Sequence, residues 1–161
     1  ISADQKPSSR MVLLKDFDKD GFVFYTNIKS KKAISINSNP YVALNFHWKS
    51  ILKQVRIEGK AIQVSDMDAD KYFFSRPEES KIGAWASYQS NEMLDRSEFE
   101  KKIEYFTKKF EGTQITRPPF WSGYRVFPEL IEFWQDMPFR LHDRLEFKKI
   151  DNKWKGRKLY P

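Results

Sequence analysis

YVALNFHW at residues 41–48 and, five residues later, QVRIEGKAIQV at residues 54–64 are the stretch that decides the fold. Apolar or small side chains alternate with polar ones, most clearly through residues 54–59. A period of two is that of a β-strand, whose successive side chains point to opposite faces of a sheet. The sequence therefore predicts two neighbouring strands, at Tyr41–Trp48 and Gln54–Val64.

Further strands are predicted on both sides of this stretch. They are a buried strand at Arg10–Lys15 and further strands at Phe22–Thr26, Tyr124–Phe127, Leu130–Trp134, Leu141–Ile150 and Lys153–Tyr160. Asp16–Gly21 and Asp151–Asn152 have the composition of turns, and Pro128 predicts a kink between two of the strands. Consecutive hairpins favour an antiparallel sheet that closes into a barrel.

Helices are predicted in the connections between these strands. Ser30 is placed to cap a helix that ends before Asn39-Pro40, and Ser65 begins a capping-box-like pattern whose helix runs to about Ser75. Others are predicted at Glu78–Ser87 and at Asp95–Phe110, where Phe99, Ile103, Phe106 and Phe110 recur on one helical face. We expect a single domain over residues 1–161, mainly β with inserted helices (α+β).

Composition excludes several classes of site. The chain of 161 residues has no cysteine and only two histidines, which excludes disulfides and thiolate chemistry and disfavours a histidine-rich metal site. No apolar run reaches the roughly 20 residues of a membrane span, and no signal-peptide pattern opens the chain. We therefore expect no metal, no membrane and a cytoplasmic protein.

A formal net charge of +7 and an aromatic content of 16% narrow the ligand classes. A basic balance fits nucleic acid, an anionic membrane surface or phosphorylated small molecules. A nucleic-acid-binding barrel is one hypothesis, but the charge is dispersed along the chain, which disfavours it. Aromatic side chains in this number are expected to line a pocket or an interface as well as a core.

Two clusters have the chemistry of a phosphate site. Ser30-Lys31-Lys32 places a hydroxyl and two ammonium groups at a helix start, where free backbone N–H groups also bind anions. Tyr72, Arg76 and Ser80 recur at a spacing of four, although Pro77 interrupts a continuous helix. A solvated helix face is the alternative for the first cluster, and solvated strand ends are the alternative for Arg10 and Lys15, which flank an apolar strand.

The pentapeptide Arg140-Leu141-His142-Asp143-Arg144 suggests a third site. On an extended strand, Arg140, His142 and Arg144 would share one face, downstream of the aromatic pair Phe133-Trp134. Guanidinium groups bind anions and stack on rings, so this face suits a flat anionic aromatic ligand. A solvated edge strand is the alternative. Gln89-Ser90 carries little information alone, and His47 is interpreted as structural.

Taken together, these segments resemble the pyridoxine 5'-phosphate oxidases, FMN-dependent enzymes of vitamin B6 metabolism. The matching motifs are RMVLLK (10–15), FYTN (24–27), QVR (54–56), YF-SRP (72–77), SKIGAW (80–85), QS (89–90), EFWQ (132–135), RLHDR (140–144) and the closing LYP (159–161). They occur in family order and extend from Arg10 to the C-terminus.

The resemblance implies an FMN-binding split β-barrel that forms a homodimer with FMN at the interface. The implied FMN contacts are Arg10, Met11, Val12, Leu13, Leu14, Lys15, Tyr25, Thr26, Lys31, Lys32, Gln54, Gln89, Ser90, Trp134 and Arg144. The implied substrate contacts are Lys15, Tyr72, Arg76, Ser80, Arg140 and His142, and of these Arg140 and His142 are the implied catalytic residues.

The implied activity is the oxidation of pyridoxine or pyridoxamine 5'-phosphate to pyridoxal 5'-phosphate, with O2 as acceptor and H2O2 as product. The alternative is a related split-barrel flavoprotein with another substrate, or a protein that only binds FMN or pyridoxal phosphate. The chain departs from the family pattern at three positions. The family usually has Arg, Gly and Gly where this chain has Lys31, Ser122 and Asp136, respectively. The family segment before Arg10, which includes a barrel strand, is expected to be missing here apart from its tail.

Overall fold

The computed structural model describes residue 1 and residues 4–161, and within them the chain forms seven strands and four α-helices. The strands are β1 (Asp16–Asp18), β2 (Gly21–Asn27), β3 (Tyr41–Trp48), β4 (Lys53–Gln63), β5 (Trp121–Gln135), β6 (Asp143–Ile150) and β7 (Lys153–Leu159). The helices are α1 (Lys31–Ser38), α2 (Asp66–Phe74), α3 (Glu78–Ala86) and α4 (Arg96–Phe110). Among the described residues, no helix is both long and apolar enough to cross a membrane.

One antiparallel sheet holds all seven strands, in the order β1-β2-β5-β4-β3, with β6 on β5 and β7 on β6. The long strand β5 pairs with β4 along nearly all of its length. On its other edge it pairs with β2 through Trp121–Val126 and then with β6 through Leu130–Gln135. This change of neighbour lets the sheet curl around two cores. The predicted antiparallel, mainly β architecture with inserted helices is confirmed.

The prediction of two strands around Pro128 was wrong, because β5 is continuous with a bulge at that point. Glu58 pairs with Leu130 and Gly59 with Pro128, which leaves Glu129 without a partner position. A proline at a bulge breaks no ladder of hydrogen bonds. Gly59 is required opposite it, since a Cβ there would lie 2.1 Å from the Phe127 carbonyl oxygen.

Two clusters of buried side chains hold the helices on the sheet. The first lies under α1 and contains Phe24, Ala33, Ile36, Ala61, Tyr124 and Val126; the second contains Phe73, Ile82, Ile115 and Trp121. Helix α4 packs Ile103, Phe106 and Phe110 against the second cluster, as their spacing predicted. Ser30 and Ser65 cap α1 and α2 by accepting hydrogen bonds from the Ala33 and Asp68 backbone N–H groups.

The prediction of a buried strand at Arg10–Lys15 was wrong for the single chain. The segment is outside the regular sheet, Met11 is 95% exposed and Leu13 69% exposed, while Val12 packs on the first core cluster. The Lys15 backbone N–H donates to the Val23 carbonyl at 2.9 Å. A strand with apolar side chains on both faces is buried only if other groups pack against both faces. Within one chain, the core packs only against the face that carries Val12. The first hairpin therefore consists of β1 and β2.

The segment around Arg140 also differs from the predicted strand. Strand β6 begins at Asp143, and Pro138–Arg140 forms a short 3₁₀ turn in which Phe139 and Arg140 have φ of 58° and 63°. The strand alternation that placed Arg140, His142 and Arg144 on one face therefore does not apply to the first two of them. Pro138 and the positive φ angles turn the chain before the ladder starts.

Candidate active site

A cavity of about 720 Å³ lies where the N-terminal segment, β2, α1 and the α2–α3 connection meet. The residues predicted from the sequence as FMN or substrate contacts that line this cavity are Met11, Val12, Leu13, Lys15, Tyr25, Thr26, Lys32, Tyr72, Arg76, Ser80 and Gln89. Most of the predicted FMN and substrate residues thus come from distant parts of the chain to one cavity. Asn27, Ser87 and Trp121 also line it, and the sequence did not single them out.

One corner of this cavity is built around Lys32. Its ammonium group donates to Gln89 Oε1 at 2.9 Å, to Ser30 Oγ at 3.3 Å and to the Thr26 hydroxyl. Burial, and next the positive charge of Arg10, lower the pKa of Lys32 to about 8. Within residues 4–161 no carboxylate forms an ion pair with Lys32. A half-buried cation without a counter-ion is a favourable place for an anionic ligand.

The second corner is built around Arg76. The guanidinium lies over the ring of Trp121 at 4.8 Å and over that of Phe73 at 5.6 Å. One terminal nitrogen is buried without a hydrogen-bond partner in the described structure, and burial lowers the pKa of the group. A buried donor without a partner is costly, so this nitrogen fits an anion such as a phosphate. Tyr72 and Ser80 line the same cavity as Arg76. They do so although Pro77 separates α2 from α3, so the three residues are not on one continuous helix.

A stack of aromatic rings forms one wall beside Arg76. Tyr25 lies 4.0 Å from Tyr72 and 5.4 Å from Trp121, with the rings nearly parallel. Lys15 places its ammonium group 5.9 Å from the Tyr72 ring. The stack fixes the position of Tyr72 and gives the cavity an apolar surface suited to a flat ring.

A second cavity, of about 550 Å³, lies on β4, β5 and β6. Gln54, Trp134 and Arg144 occupy directly paired positions on these three strands, so the three predicted FMN contacts form one row. In the single chain the predicted FMN contacts are therefore divided between two cavities. The positions of these residues along the sequence did not indicate that they would line two different cavities.

Arg144 is held by a buried carboxylate that the sequence reasoning did not assign. Glu132, only 3% exposed, accepts from Arg144 Nε at 2.7 Å and from a terminal nitrogen of Arg56 at 2.7 Å. The hydrogen bond from Arg144 is the largest reason that the pKa of Glu132 is lowered. The signal in the sequence was a lone acid within the apolar strand 130–134, a position where a carboxylate needs a partner.

Arg140 and His142 line neither cavity. Arg140 is exposed, whereas the His142 ring lies 4.7 Å from Trp134 with Nδ1 2.9 Å from Asp136 Oδ1. His142 is therefore next to the row Gln54–Trp134–Arg144, and Arg140 projects from the turn before it.

Four predicted FMN contacts also lie outside both cavities: Arg10, Leu14, Lys31 and Ser90. Arg10 donates to Ser8, Lys31 is exposed at the start of α1, and Ser90 is exposed with φ of 73° beside Gln89. Leu14 is 38% exposed. Arg10 is near enough to Lys32 for its charge to lower the pKa of that group, and the roles of these four residues stay predictions.

Comparison with known proteins agrees with this architecture. The family model described as "Pyridoxamine 5'-phosphate oxidase" matches residues 1–110, and that described as "Pyridoxine 5'-phosphate oxidase C-terminal dimerisation region" matches residues 121–161. The chain is 52% identical to the pyridoxine/pyridoxamine 5'-phosphate oxidase of Caulobacter vibrioides over 100% of its length and 72% of that protein. For the protein of the same name from Rhodospirillum rubrum, identity is 48%, covering 97% of this chain and 80% of the relative.

Two solved structures have the same fold. PhzG from Burkholderia lata, crystallised with tetrahydrophenazine-1-carboxylic acid, has a TM-score of 0.94 and 29% identity, covering 100% of this chain and 79% of that one. A pyridoxamine 5'-phosphate oxidase-related, FMN-binding protein from Nostoc punctiforme has a TM-score of 0.78 and 14% identity, covering 100% and 84%. The predicted split-barrel fold is confirmed.

Proposed function

We propose, because this chain belongs to the pyridoxamine 5'-phosphate oxidase family, that it is an FMN-dependent oxidoreductase. Its substrates would be pyridoxine 5'-phosphate or pyridoxamine 5'-phosphate, and its product pyridoxal 5'-phosphate. FMN would supply the redox chemistry: it would accept a hydride from C4′ of the substrate and pass the two electrons to O2, which gives H2O2. The cytoplasm is the compartment that we expect.

The observation that carries this proposal is the presence of two cationic corners in one cavity whose lining, among the described residues, contains no carboxylate. FMN and the vitamin B6 phosphate each bring a phosphate group, so the reaction needs two anion sites. Lys32, with Thr26 and Gln89 around it, would hold the phosphate of FMN. Arg76, with Lys15, Tyr72 and Ser80, would hold the phosphate of the substrate. In the described part of the chain the partly buried Arg76 guanidinium has no carboxylate partner, and a phosphate in this corner would supply the missing negative charge.

The division of FMN contacts between two cavities supports a homodimer with FMN at the interface. Lys32 and Gln89 line the first cavity, whereas Gln54, Trp134 and Arg144 line the second. In a twofold dimer each cavity of one chain can face the other cavity of its partner. The exposed apolar segment at Met11–Leu14 would then gain the cover that it lacks in one chain, and the match to a dimerisation region agrees with this arrangement.

In this arrangement the protein binds and orients while FMN supplies the redox chemistry. Lys15, Tyr72, Arg76 and Ser80 would hold the phosphate and so place the pyridine ring. Arg140 and His142 would contact the ring, and Arg144 and Gln54 would hydrogen-bond the isoalloxazine. Oxidation of the alcohol consumes one O2 and gives one H2O2, whereas oxidation of the amine also consumes water and releases ammonia.

Purification and an absorbance spectrum test the proposal directly. We expect a yellow protein, or a colourless one that binds added FMN, which produces pyridoxal 5'-phosphate and H2O2 from the phosphorylated substrates. Unphosphorylated pyridoxine is the matched control and should turn over far more slowly. A protein that binds FMN but oxidises neither phosphate ester would contradict the proposal and favour a related flavoprotein with another substrate.

A further inference from the structure

Asp136 and His142 face each other where the β5–β6 hairpin opens. The last paired positions of the ladder are Gln135 and Asp143, so the next opposed positions are Asp136 and His142. The backbone N–H of Asp136 donates to the Leu52 carbonyl at 2.9 Å, which fixes the main chain there. The carboxylate is therefore presented to the imidazole by a fixed backbone.

Nδ1 of His142 has two neighbours that require opposite states of this nitrogen. Asp136 Oδ1 lies 2.9 Å away and can only accept, whereas the backbone N–H of Met137 lies 3.3 Å away and can only donate. An Nδ1–H group satisfies the carboxylate, and an Nδ1 lone pair satisfies the backbone N–H. The Met137 contact has hydrogen-bond geometry, whereas the shorter contact to the carboxylate is an ion-pair contact. A negative oxygen 2.9 Å from the nitrogen repels a lone pair and attracts a proton, so the carboxylate favours Nδ1–H.

We propose that Asp136 is a positioning residue that holds the proton on Nδ1 of His142 and so leaves the lone pair on Nε2. Within residues 4–161, no side chain or backbone group hydrogen-bonds Nε2, and the ring is steadied by Trp134 at 4.7 Å. The inference rests on the proposed function in one respect, namely that His142 contacts the substrate. In that role, Nε2 accepts a hydrogen bond from the hydroxyl or amine of the substrate.

The tautomer can be measured without any turnover. Only two histidines occur in the chain, so ¹H–¹⁵N spectra of the labelled imidazole nitrogens contain two rings, and a His47→Gln variant assigns them. At a pH where the rings are neutral, we expect the wild-type His142 ring to carry its hydrogen on Nδ1. In Asp136→Gly and Asp136→Ala the remaining neighbour of Nδ1 is a donor, so the hydrogen should move to Nε2.

Asp151→Gly is the matched control, because Asp151 lies in the β6–β7 turn with φ of 49°, which suits glycine. It should leave the His142 tautomer unchanged. A wild-type ring protonated on Nε2, or a tautomer that stays the same in both Asp136 variants, would overturn the proposal. Far-UV circular dichroism of each variant shows whether its spectrum reports the native fold.

Kinetics then test whether Asp136 acts through His142. Asp136→Gly should lower kcat/KM by about tenfold, the factor that corresponds to one lost charge-assisted hydrogen bond. In a His142→Ala background the same change should cost much less, and an equal loss in both backgrounds would contradict the assigned role. If the wild-type protein oxidises neither substrate, the proposed function fails, while the spectra still decide the tautomer.

Discussion

Arg76→Met tests the substrate-phosphate site by separating ligand binding from protein stability. Methionine keeps an unbranched apolar chain over Trp121 but removes the charge and all hydrogen-bond donors. Each charge-assisted hydrogen bond contributes about 1.5–3 kcal/mol, so the loss of one predicts a rise of roughly 10- to 150-fold in KM for pyridoxine 5'-phosphate. The affinity for FMN should stay the same, because its proposed phosphate site is at Lys32.

The same substitution should stabilise the protein without ligands. A buried donor without a partner costs about 1–3 kcal/mol, and one nitrogen of Arg76 is such a donor. The lost cation–π contacts offset about 0.5–1 kcal/mol of that gain at a partly exposed site. The net expectation is about 1 kcal/mol of added stability, or a rise of roughly 2–4 °C in Tm for a chain of this size.

Steady-state kinetics, FMN titration and thermal unfolding of the apoprotein provide the three measurements. Lys60→Met is the matched control, since Lys60 is an exposed cation on β4 that lines neither cavity. It should leave KM within about twofold of wild type. An unchanged KM in Arg76→Met, or a clear loss of apoprotein stability, would refute the reasoning about this corner.

Three further predictions concern other parts of the site. The pKa of Lys32 is lowered to about 8, so its charge is lost as pH rises through that value. The Kd of the apoprotein for FMN should therefore rise by up to about tenfold per pH unit between pH 8 and 9.5. Lys32→Arg should remove this pH dependence in a fluorescence titration, and an unchanged pH dependence in that variant would argue against Lys32 as its origin. Glu132→Gln should destabilise the protein by roughly 2–3 kcal/mol in urea unfolding, less than for a fully buried pair because Arg56 and Arg144 are partly exposed. Because the pKa of Glu132 is lowered, its contribution to the free energy of unfolding is present above the ordinary pKa of 4.5 and is lost as pH falls through the folded-state pKa. Wild type should therefore lose more stability than Glu132→Gln between pH 5 and 3. Parallel plots of stability against pH for the two proteins would contradict the pairing. Arg140→Ala should lower turnover by roughly tenfold or more while FMN stays bound, and unchanged kinetics in a stopped assay for pyridoxal 5'-phosphate would remove the role proposed for this exposed side chain.

Local patterns predicted most of the secondary structure. Tyr41–Trp48 has the predicted bounds, and the caps at Ser30 and Ser65 are where the sequence placed them. These features depend on side-chain alternation and on hydrogen bonds within four residues, both of which can be recognised in sequence. The segments that were predicted wrongly depend on something else: the Met11 face needs cover from outside the chain, and the turn at Arg140 follows from positive φ angles that no local pattern indicated.

The candidate site shows the same division. Residue chemistry indicated a phosphate function for Ser30-Lys31-Lys32 and for Tyr72, Arg76 and Ser80. The family resemblance assigned the first cluster to FMN, the second to the substrate, and added the other flavin contacts. Glu132 and Asp136 received no role, because their importance lies in what stands opposite them in the folded hairpin. Glu132 can hydrogen-bond Arg144 only because the folded hairpin brings the two within about 3 Å of each other, and the same fold brings Asp136 to His142.

By itself, the sequence determined the antiparallel, mainly β class, the family and the residue types that can bind two phosphates. Only the tertiary structure decided that Lys32 and Arg76 share one cavity, where no described carboxylate pairs with either, that the predicted FMN contacts divide between two cavities, and that Asp136 meets Nδ1 of His142. The physical reason is that propensity and periodicity act over a few residues, whereas burial, charge pairing and hydrogen-bond geometry depend on groups that are brought together from distant parts of the chain.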